Sequence, residues 1–152
     1  MQIFITGANG FIGGSVASAL IADGHTVRGL VRSKAKADAV AAYGVEAVVG
    51  SLDEPALLQA EARAADAVIN AASSDHRGAV EALLAGLSGS GKPFLHSSGS
   101  SIVADLAMGE PSDRIFHEGT PIEAQAEKAA RVAIDRLVLN APASVRWCSA
   151  IA

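Results

Sequence analysis

Short apolar runs alternate with stretches of helical periodicity along the whole chain. The apolar runs predict strands at Met1–Thr6, His25–Val31, Val45–Val49, Ala67–Asn70 and Phe94–Ser97, with a sixth beginning within Ser144–Ile151. The helical stretches are Phe11–Ala22, a basic Ala-rich segment through Tyr43, Glu54–Ala65, Arg77–Leu87 and Pro121–Asn140. Strands that alternate with helices require right-handed crossovers. We therefore predict one α/β domain over residues 1–152, built on a doubly wound parallel sheet.

The periodicity also predicts which helix faces are buried and where a ligand loop lies. The first helix carries Ile12, Val16, Ala19 and Leu20 on one face, and the last helix has an inner stripe of Ile134, Leu137 and Val138. Between the fifth strand and the last helix, Ile102–Thr120 has no steady period and contains Gly and Pro. It follows the carboxyl end of a strand, where such sheets place ligand loops. We interpret it as an irregular loop that closes over a ligand.

Composition narrows the class of protein. Of the 152 residues, 50% are hydrophobic and 18% are charged, which excludes intrinsic disorder. A net charge of −4 argues against a nucleic-acid partner, and no apolar run approaches the roughly 20 residues of a membrane span. The single Cys148 excludes an internal disulfide and suits a reducing cytoplasm. The sequence predicts a cytoplasmic globular protein with a small-molecule substrate and no pattern of metal ligands.

The strongest chemical signal is TGANGFIGG, Thr6–Gly14, at the junction of the first strand and first helix. Gly7, Gly10 and Gly13 are three residues apart. A tight turn, close approach to a pyrophosphate and close helix packing each favour a residue without a side chain. The helix N-terminus adds unpaired N–H groups and the positive end of a dipole. The segment predicts a cradle for a dinucleotide.

The GxxGxxG spacing in TGANGFIG resembles the extended and atypical short-chain dehydrogenases/reductases, the NAD(P)-dependent epimerase/dehydratase group. The resemblance runs from Met1 to about Asn140 and implies a Rossmann-type three-layer sandwich. Members of the group are about twice as long as this chain. The resemblance therefore also implies that their C-terminal substrate-binding region is absent here.

The end of the second strand bears on the choice of cofactor. Family members that bind NAD have an acidic residue there for the ribose hydroxyls, but this chain has Val31 followed by Arg32, Ser33 and Lys34. A guanidinium can form a fork to a 2′-phosphate. We therefore expect NADP rather than NAD, with a solvated basic helix start as the alternative.

Two further segments match family positions around the cofactor. Gly50-Ser51-Leu52-Asp53 resembles a Gly-Asp-Leu-x-Asp segment at the adenine, although Asp53 is also suited to a helix N-cap. Asn70-Ala71-Ala72 resembles the small-residue turn under the nicotinamide ribose. The residues expected to bind the cofactor are Gly7, Asn9, Gly10, Phe11, Ile12, Gly13, Arg32, Ser33, Ser51, Leu52, Asn70, Ala71, Ala72 and Lys128.

The resemblance implies catalysis by a Ser, a Tyr and a Lys four residues after the Tyr. Alignment selects Ser98, with Ser97 and Ser100 as alternatives, and places Lys128 on the last helix beside an expected i,i+4 pair of Glu127 and Arg131. The tyrosine is missing. Position 124 is Ala, and the only tyrosine of the chain is Tyr43, in the second helical segment. Either no residue replaces it, or a loop group such as His117 or Glu118 supplies the proton.

Three functions remain open. The first is an NADP-dependent oxidoreductase or epimerase acting on a small carbonyl or sugar-like substrate. The second is a non-catalytic NADP-sensing module, and the third is an inactive fragment of such an enzyme. The resemblance also implies homodimers through the fourth and fifth helices, although these carry no distinctive stripe.

Overall fold

The computed structural model describes residues 1–104, 109–111, 113–117, 119–141 and 146–151. Six strands alternate with five helices in the predicted order. The strands are β1 (Gln2–Thr6), β2 (Thr26–Val31), β3 (Glu46–Val49), β4 (Ala67–Asn70), β5 (Pro93–Ser98) and β6 (Arg146–Ile151). The helices are α1 (Phe11–Ala22), α2 (Lys34–Ala41), α3 (Pro55–Ala64), α4 (Arg77–Leu87) and α5 (Ala129–Leu139), and 3₁₀ turns occupy Ser100–Val103 and Ala126–Lys128.

All six strands belong to one sheet in the order β3-β2-β1-β4-β5-β6, and every neighbouring pair is parallel. The direction of winding reverses between β1 and β4, the two central strands. Ligands of open α/β sheets bind outside the carboxyl ends of the strands at such a reversal. The predicted doubly wound fold is confirmed, and its topology places the ligand edge beside Thr6 and Asn70.

Two hydrophobic cores lie on opposite faces of the sheet. Successive side chains of a strand point to opposite faces, so Phe4 belongs to one core and Ile5 to the other. The first core is closed by α3, α4 and α5, and the second by α1 and α2. Leu58 of α3 and Leu83 of α4 are fully buried, which stabilises the fold by about 1.5–3 kcal/mol for each side chain.

Aromatic residues make up only 4% of the chain, and small residues allow neighbouring helices to pack closely. A side chain on Gly86 of α4 would lie 2.7 Å from the carbonyl oxygen of Gln59 and 2.8 Å from the Cβ atom of Ala62, both on α3. The two helices therefore touch through small residues. Within the described residues, no helix has both the length and the apolar character needed to cross a membrane.

The last helix differs from the prediction of Pro121–Asn140. It begins at Ala129, because Gln125 has extended backbone (ψ 150°) and residues 126–128 form a 3₁₀ turn. Lys128 is the N-cap of α5 instead of a residue within the helix, and Ala124 lies outside the helix. The inner stripe is confirmed for Ile134 and Val138, which are buried.

The prediction for the buried face of α1 is wrong by part of a turn. Gly13 and Ala17 are buried and Val16 and Leu20 are partly buried, whereas Ile12 and Ala19 are exposed. The reason is the close approach of α1 to the first turn of the chain, which the glycine at position 13 permits. Glycine does not register in a count of apolar positions, although its lack of a side chain defines the contact.

Candidate dinucleotide-binding site

The glycine turn after β1 depends on close backbone contacts. Gly7 has a φ of +75°, and a Cβ atom there would lie 2.6 Å from the carbonyl oxygen of Ala71. A Cβ atom on Gly13 would overlap the carbonyl oxygen of Gly7. The amide of Gly10 donates to that same oxygen at 2.9 Å. Gly7 and Gly13 are therefore required by the fold itself.

Gly10 has a different role. A Cβ atom there would meet only the carbonyl oxygen of Gly7, at 3.2 Å, and its φ of −88° is open to any residue. It lies on the surface. The predicted cofactor residues Asn9, Gly10, Phe11 and Ile12 are all exposed. The fold does not need a glycine at position 10, so its absence of a side chain leaves space for a ligand.

The N-terminus of α1 suits an anion. Gly10 is its N-cap and supplies no side-chain cap, and the first turn holds no acidic residue. By contrast, α2 is capped by the hydroxyl of Ser33, and α4 by the ring of His76. The unpaired N–H groups of α1 point to the edge where the winding reverses. These features fit a pyrophosphate.

The turn after β4 lies against the glycine turn. The amide of Ala71 donates to the carbonyl oxygen of Thr6 at 3.2 Å, and Ala72 is exposed. Asn70 is buried and its side chain is turned inward, where it accepts from the Thr6 hydroxyl and meets Nδ1 of His96 at 2.9 Å. Ala71 and Ala72 therefore leave open space for a ribose, whereas the Asn70 carboxamide is bonded within the protein.

The carboxyl end of β2 is cationic and open. Val31 is buried, and Arg32 and Ser33 follow it on the surface. In the described part of the chain, Arg32 has no hydrogen bond or ion pair. The Ser33 hydroxyl accepts from the Lys36 amide at 3.4 Å. Ser33 therefore caps α2, and the guanidinium of Arg32 remains available to a ligand.

The loop after β3 is tied to the loop after β4. The Ser51 hydroxyl bonds Oδ2 of Asp53 at 3.1 Å, and Oδ1 of Asp53 is 3.0 Å from Nε2 of His76. The hydrogen bond from His76 holds the pKa of Asp53 below its usual value. Asp53 is not the N-cap of α3, because Glu54 holds that position. The Leu52 side chain packs on the first core.

At the carboxyl end of β5, polar groups are directed into the protein. Ser98 is buried, and its hydroxyl donates to Oδ2 of Asp135 on α5 at 2.8 Å. Oδ1 of Asp135 lies 3.7 Å from Nε2 of His96, and neither atom has a hydrogen-bond partner among the described residues. His96, Asp135 and Ser98, with Thr6 and Asn70, form a buried polar chain from β1 to α5.

The hydrogen bonds from Thr6 through Asn70 determine which ring nitrogen of His96 carries the proton. Its Nδ1 faces the amide nitrogen of Asn70, whose oxygen accepts from Thr6. With the amide in this orientation Nδ1 is the acceptor, and the ring proton sits on Nε2 toward Asp135. Burial lowers the pKa of His96, opposed by the charge of Asp135. His96 also stacks on Phe94, with ring centroids 6.3 Å apart, so it packs within the core.

Lys128 is half-buried at the start of α5, with Nζ 3.3 Å from Oε1 of Glu127. The expected pair of Glu127 and Arg131 is wrong, because the loop after β4 supplies a better partner. Arg131 donates two hydrogen bonds to Asp75, Nε–Oδ1 at 2.8 Å and Nη2–Oδ2 at 2.6 Å. This bond lowers the pKa of Asp75 and raises that of Arg131.

The third donor of Arg131 reaches Ser101. Nη1 lies 2.9 Å from the Ser101 hydroxyl oxygen, and a Cβ atom on Gly99 would lie 2.7 Å from Nη1. The absence of a side chain at position 99 therefore admits the guanidinium to the end of β5. Because Arg131 donates to the oxygen of Ser101, the proton of that hydroxyl is free to point elsewhere. The Ser98 proton, by contrast, is already directed to Asp135.

No phenol replaces the missing tyrosine near Ser98. Tyr43 lies in the turn after α2, and its hydroxyl donates to the carbonyl oxygen of Ala8 at 2.7 Å. Ala8 belongs to the second core, on the face opposite Ser98. His117 is exposed in the loop before α5, where its Nδ1 accepts from the Gly119 amide. Glu118 lies outside the described residues.

A cavity of about 480 Å³ opens between this loop and α5. Its walls are mainly apolar, with Ile102, Phe116 and Val132 among them, and Asp135 and His117 also line it. Asp135 therefore joins the cavity to the hydroxyl of Ser98. The predicted loop Ile102–Thr120 does border a ligand-sized space, although it begins with the 3₁₀ turn Ser100–Val103.

Sequence reasoning missed Asp135, Arg131 and Asp75. One signal for Asp135 is present, since it is a charged residue inside the apolar stripe of Val132, Ile134 and Val138. A charge on such a face requires a buried partner. Arg131 and Asp75 are 56 positions apart, and no local pattern pairs residues on separate elements.

The sheet order, the uncapped glycine turn and the open ends of β1, β2 and β4 together define a Rossmann-like, NAD(P)-binding type of fold. The chain belongs to the NmrA-like family, whose model matches residues 1–132. It is 38% identical over 135 residues to the oxidase ucsJ of an Acremonium species, an alignment that covers 79% of this chain and 39% of that protein.

Two solved structures show the same fold. Yeast methylglyoxal/isovaleraldehyde reductase Gre2, complexed with NADPH, matches 99% of this chain and 56% of its own, with a TM-score of 0.77 and 21% identity. UDP-glucose 4-epimerase from Brucella ovis, complexed with NAD, matches 97% and 50%, with a TM-score of 0.75 and 16% identity. The chain thus spans about half the length of these proteins.

Proposed function

We propose that this chain is the NADPH-binding domain of a reductase that acts on small carbonyl compounds. The observation that carries the proposal is the glycine turn. Gly10 is left open where the fold does not need a glycine, next to an uncapped helix N-terminus. The fold is shared with a reductase complexed with NADPH and with an epimerase complexed with NAD, which supports a nicotinamide dinucleotide as the cofactor.

NADPH is proposed over NADH because of the carboxyl end of β2. A carboxylate that would accept from the ribose hydroxyls is absent, since Val31 is buried and Arg32 follows. The guanidinium of Arg32, which has no partner among the described residues, can donate two parallel hydrogen bonds to a 2′-phosphate. Both kinds of cofactor occur among the structural neighbours, so the preference rests on this chain's own residues.

A reductase of this kind receives a hydride from the dinucleotide and needs a group that stabilises and protonates the substrate oxygen. The candidates are Ser98 at the end of β5 and Lys128 at the start of α5, the positions that match the family pattern. Lys128 is half-buried at the N-terminus of α5 and supplies positive charge near Asp75. The hydroxyl of Ser98 donates to Asp135, so it would have to turn away from that carboxylate to donate to a substrate oxygen.

A second candidate function is an NADPH-responsive binding module without turnover. Ala124 supports it, because the family's acid/base is missing from its usual place. The inward direction of the Ser98 hydroxyl supports it too, since that proton is not offered to a substrate. A positioned acid is typically worth about 10²–10⁴-fold in rate. Turnover by this chain is therefore expected to be slow.

The experiment that separates the two functions follows NADPH oxidation by nicotinamide absorbance against a panel of aldehydes, ketones and nucleotide sugars. Ser98→Ala is the test variant. Ser90→Ala is the matched control, because it removes a hydroxyl in the loop before β5, at the other end of that strand from Ser98. Slow turnover lost in Ser98→Ala but kept in Ser90→Ala supports the reductase. NADPH binding without any turnover supports the binding module. Absence of NADPH binding would refute both.

A further inference from the structure

The turn between α2 and β3 places a tyrosine against the glycine turn. Tyr43 follows α2, and its hydroxyl donates to the carbonyl oxygen of Ala8 across 35 positions of sequence, at 2.7 Å. Ala8 lies between Gly7 and Asn9 and is fully buried. A side chain from another loop thus holds the centre of the segment that we assign to the pyrophosphate.

The turn that carries Tyr43 is held by backbone hydrogen bonds and by the second core. The amides of Tyr43 and Val45 both donate to the carbonyl oxygen of Val40, and Val40 and Val45 are buried in the second core. Gly44 has a φ of +91°, which lets the chain reverse directly after the tyrosine. The backbone that carries the phenol is therefore anchored by the core on both sides, while the Tyr43 residue itself is 36% exposed.

Ala8 is enclosed by β2 and α1. A Cβ atom on Gly29 of β2 would lie 2.6 Å from the Cβ atom of Ala8, so the glycine at position 29 leaves the room that Ala8 occupies. A Cβ atom on Gly14 would lie 3.2 Å from the carbonyl oxygen of Ala8 and 3.8 Å from the tyrosine oxygen. The hydroxyl of Tyr43 thus satisfies a buried acceptor, one that is costly to leave unpaired.

Burial raises the pKa of Tyr43, so its hydroxyl stays protonated throughout the neutral range and remains a donor. Its hydroxyl is bonded to the backbone of the turn, so its effect on a dinucleotide would be exerted through the backbone of residues 7–10.

We propose that Tyr43 is a positioning residue for dinucleotide binding, which fixes the glycine turn in the shape that receives the pyrophosphate. This inference rests on the proposed function for its effect on affinity. Its structural part, the ordering of the turn by one hydroxyl, does not depend on any ligand.

The test variant is Tyr43→Phe, which keeps the ring and removes only the hydroxyl. Ser90→Ala is the matched control, because the Ser90 hydroxyl also donates to a backbone carbonyl, that of Leu87, at 2.6 Å and far from the glycine turn. Hydrogen exchange is measured for the amides of Gly10 and Gly14, which are bonded within the turn and its helix. Both should exchange several-fold faster in Tyr43→Phe and at the wild-type rate in Ser90→Ala.

Affinity is then measured for NADPH and for adenosine 2′-phosphate, a fragment without the pyrophosphate. Tyr43→Phe should weaken NADPH by about 3- to 10-fold, the net effect of one hydrogen bond, and leave the fragment unchanged. An equal loss for both ligands would show general destabilisation and overturn the proposal. So would unchanged amide exchange, or faster exchange with an unchanged NADPH affinity. If wild type does not bind NADPH, the proposed function fails, and amide exchange alone decides whether Tyr43 orders the turn.

Discussion

At the carboxyl ends of β1 and β2 the functional groups face outward, whereas at the end of β5 they face one another. Gly10 and Arg32 are exposed, and the Arg32 side chain has no partner within the described residues. Ser98 and Asp135 are buried and bonded to each other. The groups of the first region are accessible from solvent, whereas the hydrogen-bonding groups of the second are largely bonded to other groups of the protein. The residues proposed to bind a cofactor are thus accessible, whereas those proposed to act on a substrate are bonded within the protein.

The two regions also respond differently to substitution. Removing an outward-facing group costs binding and leaves stability nearly unchanged. Removing an inward-facing group leaves a buried partner without its bond and costs stability. Substitutions in each region therefore test whether the division is correct.

The largest effect is expected for Gly10→Val. The new side chain finds room in the protein but occupies the space assigned to the pyrophosphate, so binding of NADPH should fall below detection while the fold persists. Calorimetric titration and thermal denaturation measure the two properties. Gly13→Val is the contrasting variant, since its side chain would overlap the carbonyl group of Gly7 and should disrupt folding. Wild-type NADPH affinity in Gly10→Val would refute the assignment of this turn.

The next effect is expected for Asp135→Ala in the inward-facing region. The change removes the acceptor of Ser98 and the charge that faces His96, so the free energy of unfolding should fall by about 2–4 kcal/mol. Urea denaturation measures it, with Asp38→Ala on the exposed side of α2 as the control. A loss as small as that of the control would mean that the buried chain contributes little.

The smallest effect concerns pH. Because burial lowers the pKa of His96, the unfolded chain binds a proton near its ordinary pKa of 6.5 while the folded chain does not. Stability should therefore be fully present above about pH 7 and decrease as pH falls through about 6.5 toward the lower folded pKa. Denaturation midpoints for wild type and His96→Gln measure this difference.

His25→Gln is the control, since that partly exposed ring lies directly before β2, at the amino ends of the strands. The slope between about pH 7.5 and pH 5.5 should flatten in His96→Gln and persist in His25→Gln. Identical slopes in all three proteins would show that His96 does not remain neutral in the folded state.

The outward-facing region was predictable from sequence because its signals are local. Gly7, Gly10 and Gly13 lie within one turn, and Arg32 directly follows a strand. The parallel, doubly wound sheet also follows from the alternation of strands and helices. The start of α5 was not predictable, because residues 121–125 continue the polar and apolar pattern of the helix and yet are not helical. Tertiary contacts override such local preferences.

The inward-facing region depended on pairs far apart in sequence. Ser98 is a family match, but its partner Asp135 is 37 positions away on another element. The clamp of Arg131 on Asp75 and the bond of Tyr43 to Ala8 are of the same kind. A single sequence shows the types of these residues without their pairing, so their roles emerge only from the fold.

The central claim is that the outward-facing region binds NADPH, and one calorimetric experiment tests it most directly. NADPH and NADH are titrated into wild type and Arg32→Ala under the same conditions. NADPH should bind wild type more tightly than NADH by about 1–3 kcal/mol, the worth of charge-assisted hydrogen bonds to the 2′-phosphate. Arg32→Ala should abolish that difference and leave NADH unaffected. Equal affinities in wild type, unchanged by the substitution, would contradict the assignment of Arg32, and binding of neither cofactor would contradict the account as a whole.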